Sequence, residues 1–387
     1  MSEILFVTWD GGGNVPPAVA IARELRTRGH TVRFLGHARQ EAALTSAGFE
    51  FVPGRHARKF SALDANSPLT MLATFGDAGM GRDLLDAVAA RPVDLVVIDC
   101  LMFGALHAAQ QAGLRYAVLE HLYDAYFNRG CLSGPLGLSL WLRGLQPRKA
   151  LEQAALRVLT SLPELDPVAA PPPNLRQVGP VVEFSPRVTA ERPTVLVSLS
   201  TFGFPRMARS LQAIVDATSG LDARVIVTTG PAVDPTTIRA HAGVEVHRYV
   251  PHVKLMPGVS LLVGHGGHGT TMQALAHDLP VLVMPMEKLS DQPWVGRSLV
   301  AAGAGRMIGK TGSALEIAPL VAELLSDGPH RAAAARLGAA VRAKPGAVLG
   351  ADALEEVLRN GGSTRSTTSS ADGTSRASAG PAAASIR

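Results

Sequence analysis

The stretch SLLVGHGGHGTT, residues 260–271, decides the reading of the fold. Its first four residues, Ser260, Leu261, Leu262 and Val263, are a short apolar run of the kind that forms a buried strand. Residues 272–276 continue as a helix, so the glycines occupy a strand-to-helix turn. Such a turn lets the backbone approach an anion, and the helix behind it offers unpaired N–H groups at the positive end of its dipole. His265 and Thr270 can add side-chain hydrogen bonds to phosphate oxygens, a chemistry that suits a diphosphate. Packing alone also places glycine in such turns. The Walker form is absent, because no Gly-Lys-Ser/Thr follows the glycines.

The same order of strand, turn and helix repeats on the N-terminal side. Residues 194–199, 224–228, 244–248 and 281–284 are the other strands of a C-terminal series. An earlier series opens with residues 4–8, the glycine-rich DGGGN at 10–14, a helical stretch at 17–28 closed by Gly29, and a second run at 31–35. A strand at 94–98 ending on Asp99, a helix at 101–112 and a strand at 116–119 continue it. Near-continuous Val, Leu and Ile mark parallel strands buried on both faces. The prediction is an α/β protein of two Rossmann-like domains facing across a cleft, with ligands beyond the carboxyl ends of the strands. Residues 1–166 are the expected first domain and 193–360 the second. Between them 167–192, with Pro171, Pro172 and Pro173, reads as a semi-rigid linker. The Ser, Thr, Ala and Gly-rich 361–387 reads as a disordered tail.

A chain of 387 residues is too long for one ordinary core and suits two. The formal charge of +5 invites a nucleic-acid reading, but the Lys and Arg residues are scattered without interleaved aromatics. That pattern points away from nucleic acid and fits an anionic small substrate. Cys100 and Cys131 belong to no CxxC pair, which argues against zinc and against a disulfide scaffold. Cys100 reads as a buried free thiol. No basic leader precedes residues 4–8, and no apolar run reaches the roughly 18 residues a membrane span needs. A cytoplasmic protein without an integral membrane segment is therefore expected.

The segment GHGGHGT at 264–270, followed by Pro280, Pro285 and the pair Asp291-Gln292, resembles the donor signature of family 1 glycosyltransferases. The likeness is to the actinobacterial enzymes that glycosylate antibiotics and other natural products. It runs over about residues 3–360. VLVSLST at 195–201 is similar to the family's first C-domain strand and phosphate-side turn, and YVPH at 249–252 to the segment packed on the nucleotide base. Residues 14–30, ending in Arg28-Gly29-His30, resemble its opening helix. The resemblance implies the GT-B fold and an inverting transfer that needs neither a metal nor a bound cofactor. No DxD-type triplet stands where a metal-dependent enzyme would need one.

By the same resemblance His265 contacts the phosphates, with Gly267, His268, Gly269 and Thr270 in the donor site. Ser200 and Thr201 lie near the diphosphate, Val250 belongs to the nucleotide side, and Asp291 and Gln292 hold the sugar hydroxyls. A carboxylate beside an amide can both accept from and donate to a polyol. One departure bears on the nucleotide. Family members that use UDP-sugars often carry Glu eight residues after the motif histidine, where this chain has Gln273. Deoxyribose has one hydroxyl fewer to reward a charged acceptor, so a dTDP-deoxysugar is expected ahead of a UDP-sugar.

A second departure bears on the chemistry. The family's acceptor-deprotonating histidine falls on Asn14, which cannot take a proton at neutral pH. Asp99 matches the aspartate that orients that histidine, although a helix N-cap reading fits it equally. Three sources of activation stay open. Asp99 or another acid such as Asp10 acts as base, the acceptor needs little activation, or His121 beyond the strand 116–119 supplies the base. Asp99 ranks first. Residues 60–81 and 122–145 carry Met71, Leu72, Phe75, Met80, Tyr123, Tyr126, Phe127 and Trp141, a composition suited to lining an apolar acceptor pocket or to core packing.

The reading is thus a glycosyltransferase moving a sugar to a small lipophilic aglycone, with a homodimer left open. Its rivals are a sugar-nucleotide epimerase and a catalytically weak sugar-nucleotide-binding auxiliary protein. A dinucleotide oxidoreductase ranks lower, because Pro16 stands where the third glycine of GxGxxG is required.

Overall fold

The computed structural model describes residues 1–62, 68–188 and 191–366. Its first sheet contains seven parallel strands: β1 (Glu3–Val7), β2 (Thr31–Gly36), β3 (Glu50–Pro53), β4 (Leu95–Asp99), β5 (Tyr116–Glu120), β6 (Leu156–Leu159) and β7 (Leu175–Gln177). The second contains six: β8 (Thr194–Ser198), β9 (Arg224–Thr228), β10 (Val244–His247), β11 (Leu261–Gly264), β12 (Val281–Val283) and β13 (Gly305–Met307). Strands β4, β5 and β6 are buried along their whole length, β4 as its run of Leu, Val and Ile anticipates and β6 despite Arg157 at its second position.

The strand orders position the site. The first sheet runs β3-β2-β1-β4-β5-β6-β7 and the second β10-β9-β8-β11-β12-β13. In each, the winding direction reverses between two central neighbours, β1 and β4 in the first and β8 and β11 in the second. Loops leaving the two strands of such a switch point diverge and open a crevice at their carboxyl ends. The turn after β1 carries Asn14, β4 ends on Asp99, and the turns after β8 and β11 carry Ser200 and His265.

Three local features differ from the sequence expectation. The helix after β11 is His268–Ala276, opening four residues earlier than expected because Gly267 takes an extended N-cap conformation (φ −64°, ψ 132°). The expected linker contributes β7 to the edge of the first sheet through pairing with β6. The closing helix, Gly346–Ser366, returns to the first half of the chain, with Ala351 and Leu354 in the core that holds Ile4, Ile21 and Val158. Arg28 Nη1 meets Asp352 Oδ1 at 2.6 Å, and His30 Nε2 meets Glu355 Oε1 at 3.0 Å across the same contact. Of the tail read as disordered, 361–366 complete this helix and 367–387 lie outside the described residues.

Candidate active site

The first half of the site is a polar knot at the β1–β4 switch. Asn14 sits at the N-cap of the helix Val15–Thr27, and its Nδ2 donates to Asp99 Oδ2 (2.9 Å), Thr8 Oγ1 (3.0 Å) and the Trp9 carbonyl (3.0 Å). Three acceptors around one amide fix its orientation. Asn14 Oδ1 is left buried without a partner. Asp99 Oδ1 accepts from the Leu101 N–H at 2.9 Å, so both carboxylate oxygens are engaged.

His121 follows β5, whose register pairs Leu119 with Asp99, and this brings the imidazole alongside the carboxylate. Its Nε2 lies 3.2 Å from Asp99 Oδ2 but out of line for a well-formed hydrogen bond, and this buried nitrogen has no other partner. Burial works to depress the imidazole pKa. The Asp99 charge and contact outweigh it, with a further contribution from Asp291, and hold the value above the ordinary 6.5.

The second half is the glycine turn after β11. Gly266 has φ +85°, and a Cβ there would stand 2.8 Å from Val283 Cγ1 and 2.9 Å from the Gln292 carbonyl. Gly267 lies under the His265 ring, where a Cβ would come within 2.5 Å of Nε2. Burial and the nearby His252 push His265 down to about 4. His268, in the first helical turn, is likewise pushed down to about 4 by burial and by the charge of His121. Both rings are neutral at pH 7, so each offers one N–H. Gly269 is exposed with open space where a Cβ would stand, and Thr270 is half-buried beside it.

Ser200 Oγ accepts from the Phe202 N–H at 3.0 Å. Thr201 Oγ1 lies 3.2 Å from where a Cβ on Gly12 would stand, so the turns after β1 and β8 face each other. Gly12 has φ +77°, which favours glycine there in any case. Val250 is half-buried beyond β10, and the neighbouring His252 contacts Thr228 Oγ1 at 3.3 Å.

Asp291 and Gln292 open the helix Gln292–Ala301. Asp291 keeps an edge open to solvent yet sits deep in the cleft, and that burial pushes its carboxyl up to about 6 against the opposing pull of His121. Gln292 Oε1 accepts from the N–H groups of Met286 (2.7 Å) and Glu287 (3.1 Å), holding the preceding loop. Its amide NH2 is what it has left to offer a ligand. His121, His268 and Asp291 therefore form one electrostatic cluster drawn from both halves of the chain.

Several expected residues do other work. Gln273 Oε1 accepts from the Glu183 N–H at 3.2 Å and its Nε2 donates to the Glu183 carbonyl, so the side chain clasps the connecting segment. Asp10 is half-buried, and its N–H approaches His37 Nδ1 at 3.4 Å. Among the residues expected to line an acceptor pocket, Tyr123 is packed in the second half's core, with its hydroxyl 3.2 Å from Ser298 Oγ. Phe75, Met80 and Phe127 belong to the first half's core, and Trp141 points outward at 63% exposure. Tyr126 donates to the Leu289 carbonyl at 2.9 Å, tying the loop before Asp291 to the opposite side of the cleft. Nothing in the sequence marks that contact, because its partner is a backbone atom 163 residues away.

Asp99, Cys100 and His121 bring an oxygen, a sulfur and a nitrogen within 4.8 Å of one another, the one such group of metal-ligand types among the described residues. The donor types suit zinc. However, both Asp99 oxygens already accept hydrogen bonds, and burial with the Asp99 and Glu120 charges drives the Cys100 thiol well up, away from the thiolate a metal requires.

Comparison with known proteins follows the same lines. A curated relative, 4'-demethylrebeccamycin synthase of Lentzea aerocolonigenes, is 26% identical over 426 residues, spanning 92% of this chain and 100% of the relative. The solved structure of the glycotransferase of kitacinnamycin superposes with a TM-score of 0.78 at 23% identity, covering 92% of this chain and 99% of that one. Glycosyltransferase VinC in complex with dTDP superposes with a TM-score of 0.70 at 20% identity, covering 92% and 100%. Two parallel sheets meeting at paired switch points, together with these relatives, define a glycosyltransferase of GT-B fold. Within that class, residues 212–357 match the family described as erythromycin biosynthesis protein CIII-like, C-terminal domain, and the relatives belong to antibiotic and other natural-product pathways.

Proposed function

We propose that this chain is an inverting, cytosolic glycosyltransferase that moves a deoxysugar from a dTDP-sugar to a small lipophilic natural-product aglycone, with His121 as the base. The observation that carries this reading is the approach of His121 Nε2 to 3.2 Å from Asp99 Oδ2, beside an asparagine that cannot accept a proton. Asp99 is the orienting group in this reading rather than the base, since its two oxygens are committed to Asn14 and Leu101. The acceptor hydroxyl or N–H attacks the anomeric carbon from the face opposite the nucleotide, and His121 takes its proton. The departing diphosphate is met by the His265 imidazole and the N–H groups opening the helix His268–Ala276. Asp291 accepts from the sugar hydroxyls and the Gln292 amide donates to them.

Two observations support dTDP over UDP. Gln273 is occupied by Glu183 and offers no carboxylate to a ribose diol, and a neighbour in fold was solved with dTDP. A thermal-shift titration with dTDP and with UDP, followed by mass spectrometry of transfer to a panel of aglycones, tests the whole reading. Larger stabilisation by dTDP and a mass gain on the aglycone are expected. Stronger stabilisation by UDP overturns the donor assignment, and release of free sugar from donor alone favours an epimerase.

A further inference from the structure

The helix Pro135–Leu142, PLGLSLWL, carries no charged residue on any side. A helix of that composition belongs inside a protein. One side of it does lie inside, with Leu140 in the core beside Phe75 and Leu145, packed against the helix Pro68–Phe75. Its other side is bare. Leu138 is 59% exposed, Trp141 63% and Leu142 71%, and on the neighbouring helix Leu69 is 75% exposed. Isolated exposed leucines need no explanation, but a run of large apolar side chains over one helix face marks a contact surface.

The charges around it say what the contact is. Arg143 caps the C-terminal end of the helix. Arg148 is fixed at the other end through Ser133 Oγ (2.7 Å) and the Asn128 carbonyl (3.2 Å), with Lys149 next to it. All three are exposed, and among the described residues none has an ion pair. Residues 128–149 contain four basic side chains and no acidic one. An apolar face containing tryptophan, with unpaired cations at both ends, is complementary to a bilayer surface bearing anionic headgroups. A protein partner or a second copy would have to supply acidic groups facing these cations, and nothing in the acid-free segment itself offers them.

We propose that the face formed by Leu69, Leu138, Trp141 and Leu142, with Arg143 and Arg148, docks this enzyme peripherally on anionic membranes. No helix among the described residues is long and apolar enough to cross a bilayer, so the contact is with the surface alone. The apolar side chains enter the headgroup boundary and the cations hold the lipid phosphates, each contributing about fivefold in partitioning. The inference rests on surface composition and is independent of the donor, the base and the acceptor.

Flotation of the intact protein with vesicles of phosphatidylcholine containing one quarter phosphatidylglycerol, and with phosphatidylcholine alone, tests it. Binding to the anionic vesicles, at least tenfold weaker without the anionic lipid and weakened by high salt, is the expected result. The double variant L138S/L142S and the charge reversal R143E/R148E should each lose at least tenfold in binding. Because these side chains are on the surface, both variants should keep the wild-type melting temperature and transfer to a soluble acceptor. No binding by the wild-type protein overturns the proposal, as does equal binding by R143E/R148E. If light scattering finds a dimer that L138S/L142S dissociates, with no vesicle binding, the face is a subunit interface instead.

Discussion

Replacing Asp99 with asparagine tests the division of labour between Asp99 and His121. In the wild type the carboxylate accepts from Asn14 Nδ2 and from the Leu101 N–H, both at 2.9 Å. An amide presents only one oxygen, so in Asp99→Asn an NH2 must face one of these donors. The lost buried hydrogen bond costs about 1–3 kcal/mol, a fall of a few degrees in melting temperature for a chain of this size. The larger consequence falls on His121. At 3.2 Å, and with an effective dielectric of about 20, a full ion pair would be worth about 5 kcal/mol, and burial takes back much of it. The net is the raised His121 pKa of the wild type. Without that charge, burial is opposed only by the smaller contributions that remain, Asp291 among them, and the pKa falls.

A base must be neutral, so the acid limb of kcat/KM follows the His121 pKa and should lie above 6.5 in the wild type. In Asp99→Asn the limb should move down by at least about one pH unit, since 1.4 kcal/mol suffices for that. The plateau should drop by about 10²–10³, the ordinary range for a weakened and misoriented base. Stability is linked in the same direction. A His whose pKa is raised by folding contributes stability below pH 6.5 that is lost as pH rises through the folded value, and Asp99→Asn removes that contribution. Product formation from a dTDP-sugar at pH 5–9, with melting curves alongside, reads both effects. An acid limb that stays in place in Asp99→Asn, or a His121→Ala enzyme with undiminished rate, refutes the assignment.

The adjacent glycines of the donor turn should separate folding from binding. Gly267 has an ordinary extended φ of −64°, so Gly267→Ala should fold, yet its Cβ displaces the His265 ring; dTDP affinity by calorimetry should fall at least tenfold with little change in melting. Gly266→Ala meets both a φ of +85° and backbone at 2.9 Å, so it should lose about 1–3 kcal/mol of stability in chemical denaturation. The reverse ordering would show that the ring does not rest on Gly267. Asp291 gives a pH effect: its carboxyl titrates at about 6, and a sugar hydroxyl donates better to the ionised form. Affinity for the dTDP-sugar should therefore tighten between pH 5 and 7 relative to dTDP alone, and parallel pH profiles would count against a role for Asp291 on the sugar.

The parts of this molecule that were legible in the sequence are those where one kind of residue has one physical use. β1, β4 and β11 are unbroken apolar runs, and the glycine turn after β11 announces close approach. β6 was missed because Arg157 interrupts it. The guanidinium is buried by pairing with Glu120 Oε1 on β5 at 2.5 Å, so a central strand carries a charge that the pattern counts against it. β7 and β13 are three residues each, too short for alternation to register. At the site, the likeness to a family brought Asp99 and Asn14 into view, while His121 ranked below them. Its place depends on the register between β4 and β5, and no spacing along the chain encodes that register. Gln273 reads in the sequence only as a missing Glu, and its clasp on Glu183 cannot be seen there, because that partner is 90 residues away.

The charge pattern across the cleft bears on why an asparagine is tolerated where a base is usual. Asn14 holds Asp99 by donating to it, as a histidine at the same place would, but unlike a histidine it keeps no second ring nitrogen to take a proton. With the amide in that role, the Asp99 charge is free to act on His121. In the proposed mechanism the imidazolium that forms when His121 takes the acceptor's proton is favoured by the charges of both Asp99 and Asp291. His268 and His265, both depressed to about 4, add no positive charge that would oppose its formation. The diphosphate, arriving beside His265, would raise that pKa and strengthen its N–H donation as negative charge develops on the leaving oxygen.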